Sequence, residues 1–168
     1  FTYAYFDANS GGEYLIGSLE DSQNPVARTV TQLGLYSQLN RSDSVGFLLY
    51  NDQTYESCNF QIQLNLSIVN AKKATSHYRD GNGAIYGHAK GFLGFDKESS
   101  FWMIHSAPGF PYNTSMVPNY WYFPWGQTVF AQHFFCASLE LNDVETVSRQ
   151  ILYYYPWIYG LFCNFLTF

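Results

Sequence analysis

The stretch Ser44-Val45-Gly46-Phe47-Leu48-Leu49-Tyr50-Asn51-Asp52 constrains the architecture of this 168-residue chain more than any other. It is nearly continuously apolar, has the length of one strand, and is closed by Asn-Asp. That is the pattern of a strand buried in a sheet and emptying into a loop. Such a strand sits at the centre of its sheet, so the rest of the chain must supply its neighbours and cover it.

The neighbours are legible in part. "FTYAYFD" (1–7) reads as a strand turned by Asn9-Ser10-Gly11-Gly12. Asn24-Pro25 reads as an N-cap with proline at the first helical position, and Val26, Val30 and Leu33 follow at helical spacing to about Tyr36. In 60–69, Phe60, Ile62, Leu64, Leu66 and Ile68 alternate with polar residues, as in a half-buried strand. A hairpin is expected from 86–95, the link Asp96 to Ser100, and "FWMIHS" (101–106). The Pro-rich aromatic run 107–126 reads as a loop, 127–139 as a strand, and Asn142 with Glu145 as a capping box opening a helix on Val144, Val147 and Ile151. The aromatic end, 153–168, is expected to present exposed surface to a partner. The expected class is therefore α/β, with a mixed, largely antiparallel sheet packed with helices in a single unit over 1–168.

Within that hairpin, "YGHAKGFLGF" places His88 and Lys90 two apart in a small, apolar run. Alternate residues of a strand share a face, so a titratable base and a fixed cation are predicted side by side, with His105 brought near from the next strand. Whether His105 faces Lys90 depends on register, because a one-residue slip reverses it. The pair suits a phosphate: lysine gives charge-assisted donors to its oxygens, and imidazole attacks phosphorus or moves protons. Taken alone, the same residues also describe a polar strand edge.

Other chemistries find less support. The chain has no H-E-x-x-H, C-x-x-C or G-x-S-x-G motif, so neither a metal nor a cofactor is called for. His133 with Cys136 could form a Cys-His pair, but a cysteine in an aromatic strand is more often a core or disulfide residue. "NYWYFPWG" could stack on bases or sugars, with structural packing as the commoner role for such a segment.

Charge and composition narrow the setting. A net charge of −5 argues against a basic nucleic-acid patch at pH 7, while protonating the four histidines takes it to −1, so a polyanion is met more easily in acid. Charged residues make up only 12%, leaving solubility to Asn, Gln, Ser and Thr, and the sequons at Asn40, Asn65 and Asn113 would carry glycans on a secretory route. Cys58, Cys136 and Cys163 are odd in number, so one is left to pair outside the chain or stay free. Starting at Phe1, the chain reads as a mature protein or a fragment, and no run of eighteen apolar residues calls for a membrane span.

Five blocks in order, "LLYNDQ" (48–53), "GHAKGFLGFD" (87–96), "FWMIHSAPGFP" (101–111), "GQT" (126–128) and "YYYPWIYG" (153–160), resemble the amino-terminal half of the deoxyribonuclease II family. "YAYFD" and "SGG" near the start resemble it too. The resemblance implies a fold similar to phospholipase D enzymes, with two α/β halves each bringing one H-x-K motif to a shared site. It also implies metal-independent cleavage of DNA at acid pH, leaving 3′-phosphate ends, in lysosomes or secretions. His88 and Lys90 match the first H-x-K, and His105 matches the further histidine of the "W-x-x-H-S-x-P-x-F-P" block. Cys136 matches a disulfide position whose natural partner precedes this sequence.

The departures define the rival readings. No second H-x-K follows before Phe168, and Phe95 stands where a strict phospholipase D pattern needs aspartate, with Asp96 one step late. One reading is an acid endonuclease whose second H-x-K half lies in a longer chain or a homodimer partner. The other is a secreted, non-catalytic binding or antigen-type protein that keeps the fold.

Overall fold

The computed structural model of the chain describes residues 2–38, 45–53, 86–112 and 121–162. Their core is a five-stranded sheet built from β3 (Val45–Asn51), β4 (Lys90–Asp96), β5 (Ser100–His105), β6 (Phe134–Leu139) and β7 (Ile158–Phe162). The order across the sheet is β6-β5-β4-β3-β7, and every one of these pairings is antiparallel. The α/β class expected is thus found, its sheet, expected to be mixed and largely antiparallel, being antiparallel throughout among the described residues. β1 (Thr2–Tyr5) and β2 (Leu15–Ser18) form a separate two-stranded ribbon.

β3 is buried along its length, as its unbroken apolar run requires, because both faces are covered. On one face, helix α1 (Pro25–Gln38) sets Val30 and Leu33 against Phe47, Leu49, Phe92 and Met103. On the other, helix α2 (Asp143–Tyr153) sets Val144 and Ile151 against Tyr50, Leu93 and Phe95. Helix–sheet–helix layering follows from a sheet whose inner strands are apolar on both sides.

α1 begins as its sequence predicts. Asn24 is buried, its Oδ1 accepts the Ala27 amide at 2.8 Å, and its Nδ2 donates to the Asp21 carbonyl at 2.7 Å. Pro25 follows at a position where a missing N–H costs nothing. The capping box expected at α2 does not form. Asn142 is itself helical, at φ −63° and ψ −21°, and makes no side-chain cap. The amides of Asp143 and Val144 already donate to the carbonyls of Glu140 and Leu141, and Glu145 is drawn instead to Arg149 one turn on.

Other boundaries moved for local reasons. β2 was not anticipated. The strand expected from 86 starts at Lys90, since Gly87 donates to the Tyr155 carbonyl and its own carbonyl takes the Ala89 amide, which bends the chain first. The strand expected over 127–139 shrinks to Phe134–Leu139 behind a 3₁₀ turn at Trp125–Gln127. Of the aromatic loop, Trp121 and Phe123 pack on the core around Phe110, while Trp125 is exposed. At the chain's end, exposure concentrates in Leu152–Tyr155, and Ile158–Leu161 join the sheet with Tyr159 buried. The strand predicted at 60–69 lies outside the described residues. No helix among the described residues is long and apolar enough to cross a membrane.

Candidate active site

The site gathers where β3, β4 and β5 meet at one end of the sheet. Pairing sets Asn51 opposite Lys90, Gly91 opposite Ile104, and His105 opposite Phe134. One more step of the β4–β5 register sets His105 across from Lys90, and residues directly opposite in an antiparallel pair share a face. The register left open by the sequence is therefore the one that brings the two together.

Asn51 fixes the surroundings. Its buried amide donates to the carbonyls of Ala107 at 3.2 Å and Phe110 at 2.8 Å, and its Oδ1 accepts the Gln53 amide at 2.8 Å. This Asx turn ties the segment after β5 to the end of β3 and turns the chain at Asp52. The peptide bond between Phe110 and Pro111 in that segment is cis.

Asp52 joins the predicted pair. Its Oδ2 lies 2.6 Å from His88 Nδ1 and its Oδ1 accepts Lys90 Nζ at 2.5 Å. The Lys90 and Asp52 side chains are 4% and 6% exposed, whereas that of His88 is 82% exposed. His88 precedes β4 instead of lying within it, yet both side chains reach one carboxylate. A carboxylate only accepts, so the hydrogen sits on His88 Nδ1, and the tautomer this selects carries its lone pair on Nε2. Gly87 holds this loop in place, because a Cβ there would overlap the Tyr154 carbonyl oxygen.

His105 differs from His88. It is 4% exposed, sits among the rings of Phe92, Phe110 and Phe134, and neither ring nitrogen has a hydrogen-bond partner among the described residues. Burial first, then the charges of Lys90 and His133, lower its pKa to about 3. His88, Lys90 and His105 all line one open cavity of about 470 Å³, walled also by Tyr50, Trp102 and Tyr154. Trp102 Nε1 donates to the Tyr50 hydroxyl at 3.0 Å.

Two residues of the site escaped the sequence reading. Asp52 was taken only as part of the strand's polar end. Its partner His88 is 36 residues away, beyond any local periodicity. His133, weighed only with Cys136, is exposed at the cavity's rim, its amide donating to Ser106 Oγ at 3.1 Å. Cys136 lies in edge strand β6, exposed and without a disulfide among the described residues. Asn40, Asn65, Asn113, Cys58 and Cys163 lie outside the described residues.

A buried ion pair implies a stability test. Asp52→Ala leaves the Lys90 ammonium buried without its carboxylate, and removing one partner of such a pair costs about 3–5 kcal/mol. Urea unfolding of wild type and variant at pH 7 measures it. A loss below about 1 kcal/mol would mean that Lys90 reaches solvent or another partner.

The sequence profile of the family described as Deoxyribonuclease II matches residues 1–167. Deoxyribonuclease-2-alpha of Mus musculus is 33% identical over 159 residues, covering 94% of this chain and 38% of the relative. Deoxyribonuclease-2-beta of Rattus norvegicus is 32% identical over 165 residues, 95% of this chain and 38% of the relative. Plancitoxin-1 of Acanthaster planci is 27% identical over 156 residues, 92% and 36% of the two chains. The chain thus spans under two-fifths of the length of these relatives. With the profile running from Phe1 through all but the last residue, the chain belongs to the deoxyribonuclease II family.

Proposed function

We propose that the chain is the amino-terminal half of an acid endonuclease that hydrolyses DNA phosphodiester bonds without a metal, its fold allied to that of phospholipase D enzymes. The observation that carries this reading is the Asp52 carboxylate, which holds His88 Nδ1 and Lys90 Nζ on its two oxygens beside a cavity that His105 also lines. Membership of the family supports it.

In this mechanism His88 Nε2 attacks phosphorus and the bond to the 5′-oxygen breaks, leaving a 3′-linked phosphohistidine. Asp52 stabilises the imidazolium that forms. Water then cleaves the P–N bond, releasing a 3′-phosphate and restoring His88. Lys90 stabilises charge on the phosphoryl oxygens. His105, kept neutral by burial, serves as a hydrogen-bond donor to a phosphoryl oxygen and not as the acid. The leaving oxygen takes its proton from another imidazole: that of a second H-x-K half, in a longer chain or a homodimer, or that of His133, which also lines the cavity. A secreted or lysosomal setting, with glycans on Asn40, Asn65 and Asn113, fits an acid optimum.

Plasmid nicking at pH 5 in EDTA tests the proposal. The 168-residue chain alone is expected to be slower than a tandem dimer, in which two His88–Lys90 pairs can converge, by on the order of 10² to 10³, the worth of one set of electrostatic contacts. Nicks should carry 3′-phosphates and refuse polymerase extension until dephosphorylated. Loss of nicking in EDTA, or 3′-hydroxyl ends, would rule the mechanism out. Inactivity of both chain and tandem dimer would favour the non-catalytic binding protein.

A further inference from the structure

Beside the cavity, Tyr155 is a non-glycine residue with a left-handed backbone, at φ 50°. Such a conformation is uncommon for a bulky residue and is held only where neighbours over-determine it. Here they do. The Tyr155 amide donates to the Leu152 carbonyl at 3.0 Å, and its carbonyl accepts the Gly87 amide at 2.9 Å, next to His88. Its ring stacks on Tyr86 at 5.5 Å and 18°, and Tyr86 in turn meets Trp157 edge-on at 4.9 Å.

The result is a column, Trp157–Tyr86–Tyr155, rooted in the chain and open at the top. Tyr155 is nevertheless 58% exposed, its ring covered on one side by Tyr86. Tyr86 and His88 are two residues apart, and Tyr154, next to Tyr155, lines the cavity with His88 and Lys90. The Tyr155 carbonyl is thus bonded to the residue before His88, which sets an exposed aromatic ring beside the proposed phosphate pair, as a nucleotide sets its base beside its phosphate.

The geometry points to Tyr155 as a stacking platform for one unstacked nucleobase of the strand whose phosphate lies at His88 and Lys90. This rests on the endonuclease reading above and deepens it, since a base can reach the platform only from single-stranded or locally opened DNA. Every base has a π face, so the platform favours unpaired strands without choosing a sequence.

The test is oligonucleotide binding by the full chain at pH 5 in EDTA, in a His88→Ala background so that the ligand persists. A single-stranded hexanucleotide is compared with versions carrying one abasic site at each position. One abasic position is expected to weaken binding about tenfold, the size of a single base–aromatic stack, with the others near neutral. Tyr155→Asn, which keeps the left-handed backbone and removes the ring, should weaken the intact oligonucleotide by the same factor and erase that positional dependence. Duplex of the same sequence should bind less tightly than the single strand. Equal binding across the abasic series overturns the platform, and because that series needs no change at Tyr155, a poorly folded variant does not blunt it. So does a wild-type-like abasic profile in a folded Tyr155→Asn protein, since the base dependence then comes from another residue. Absence of nicking by both the chain and its tandem dimer sinks the endonuclease reading but leaves a base-dependent affinity standing, so the two failures are distinguishable.

Discussion

His88→Ala is expected to lower DNA cleavage at pH 5 by on the order of 10⁴-fold or more while leaving the fold intact. The magnitude follows from the role assigned to the ring. Removing the attacking atom of a covalent mechanism leaves only binding and electrostatic contributions, and nucleophile deletions in such enzymes cost in that range. The selectivity follows from the geometry. The His88 side chain is 82% exposed, and the carboxylate it leaves keeps its bond to Lys90, so unfolding free energy should move by no more than about 0.5 kcal/mol. Lys90→Ala is expected to look different: it also slows cleavage, by on the order of 10² to 10³, but takes from the buried Asp52 carboxylate its buried cation and leaves it only the exposed His88, and so costs stability as well. The tandem dimer is the form to assay, with both copies substituted. Nicking by it at the wild-type rate would remove His88 from the chemistry, whatever the fold shows.

How much of this site the sequence discloses depends on the range over which each feature is determined. Asn24-Pro25 sets the start of α1 locally, and the hydrogen bonds of Asn24 reach only from Leu19 to Arg28. β3 is legible because apolar residues on both sides of a strand need two covers, whatever those covers are. The box at Asn142 and Glu145 was misread for the converse reason. Its residue types are right, but the turn before α2, in which the Glu140 and Leu141 carbonyls take the Asp143 and Val144 amides, makes Asn142 helical instead of a cap. Asp52 is the sharpest case. Its two bonds span 36 and 38 residues of sequence and close only when β3 and β4 pair. Nothing in a local window distinguishes it from any strand-ending aspartate. His105 lies between these extremes: its alternation with Met103 and Phe101 is local, but its place across from Lys90 is a property of one register.

That place gives His105 an energetic signature of its own. In the unfolded chain its imidazole binds a proton as the pH falls through about 6.5, whereas in the folded protein it remains neutral down to about 3. Between those values the unfolded state holds more protons, so this residue's contribution to stability is intact at pH 7 and is lost as the pH falls. From pH 7 to pH 5 the loss amounts to about 2 kcal/mol. His105→Phe abolishes the titration and fits the surroundings, since the ring already meets Phe110 edge-on at 5.2 Å. The variant should therefore melt about 5 °C higher than wild type at pH 5, relative to their difference at pH 7. Every other titrating group is common to both proteins, so the difference between the two pH profiles isolates this one. Parallel profiles would show that His105 takes up its proton while folded. The same substitution removes the N–H assigned to a phosphoryl oxygen and should slow cleavage by on the order of 10². A residue whose loss makes the protein more stable in acid and less active there is retained for the reaction. A variant both more stable at pH 5 and fully active would instead make His105 a packing residue, and would leave the phosphate to Lys90 and His88 alone.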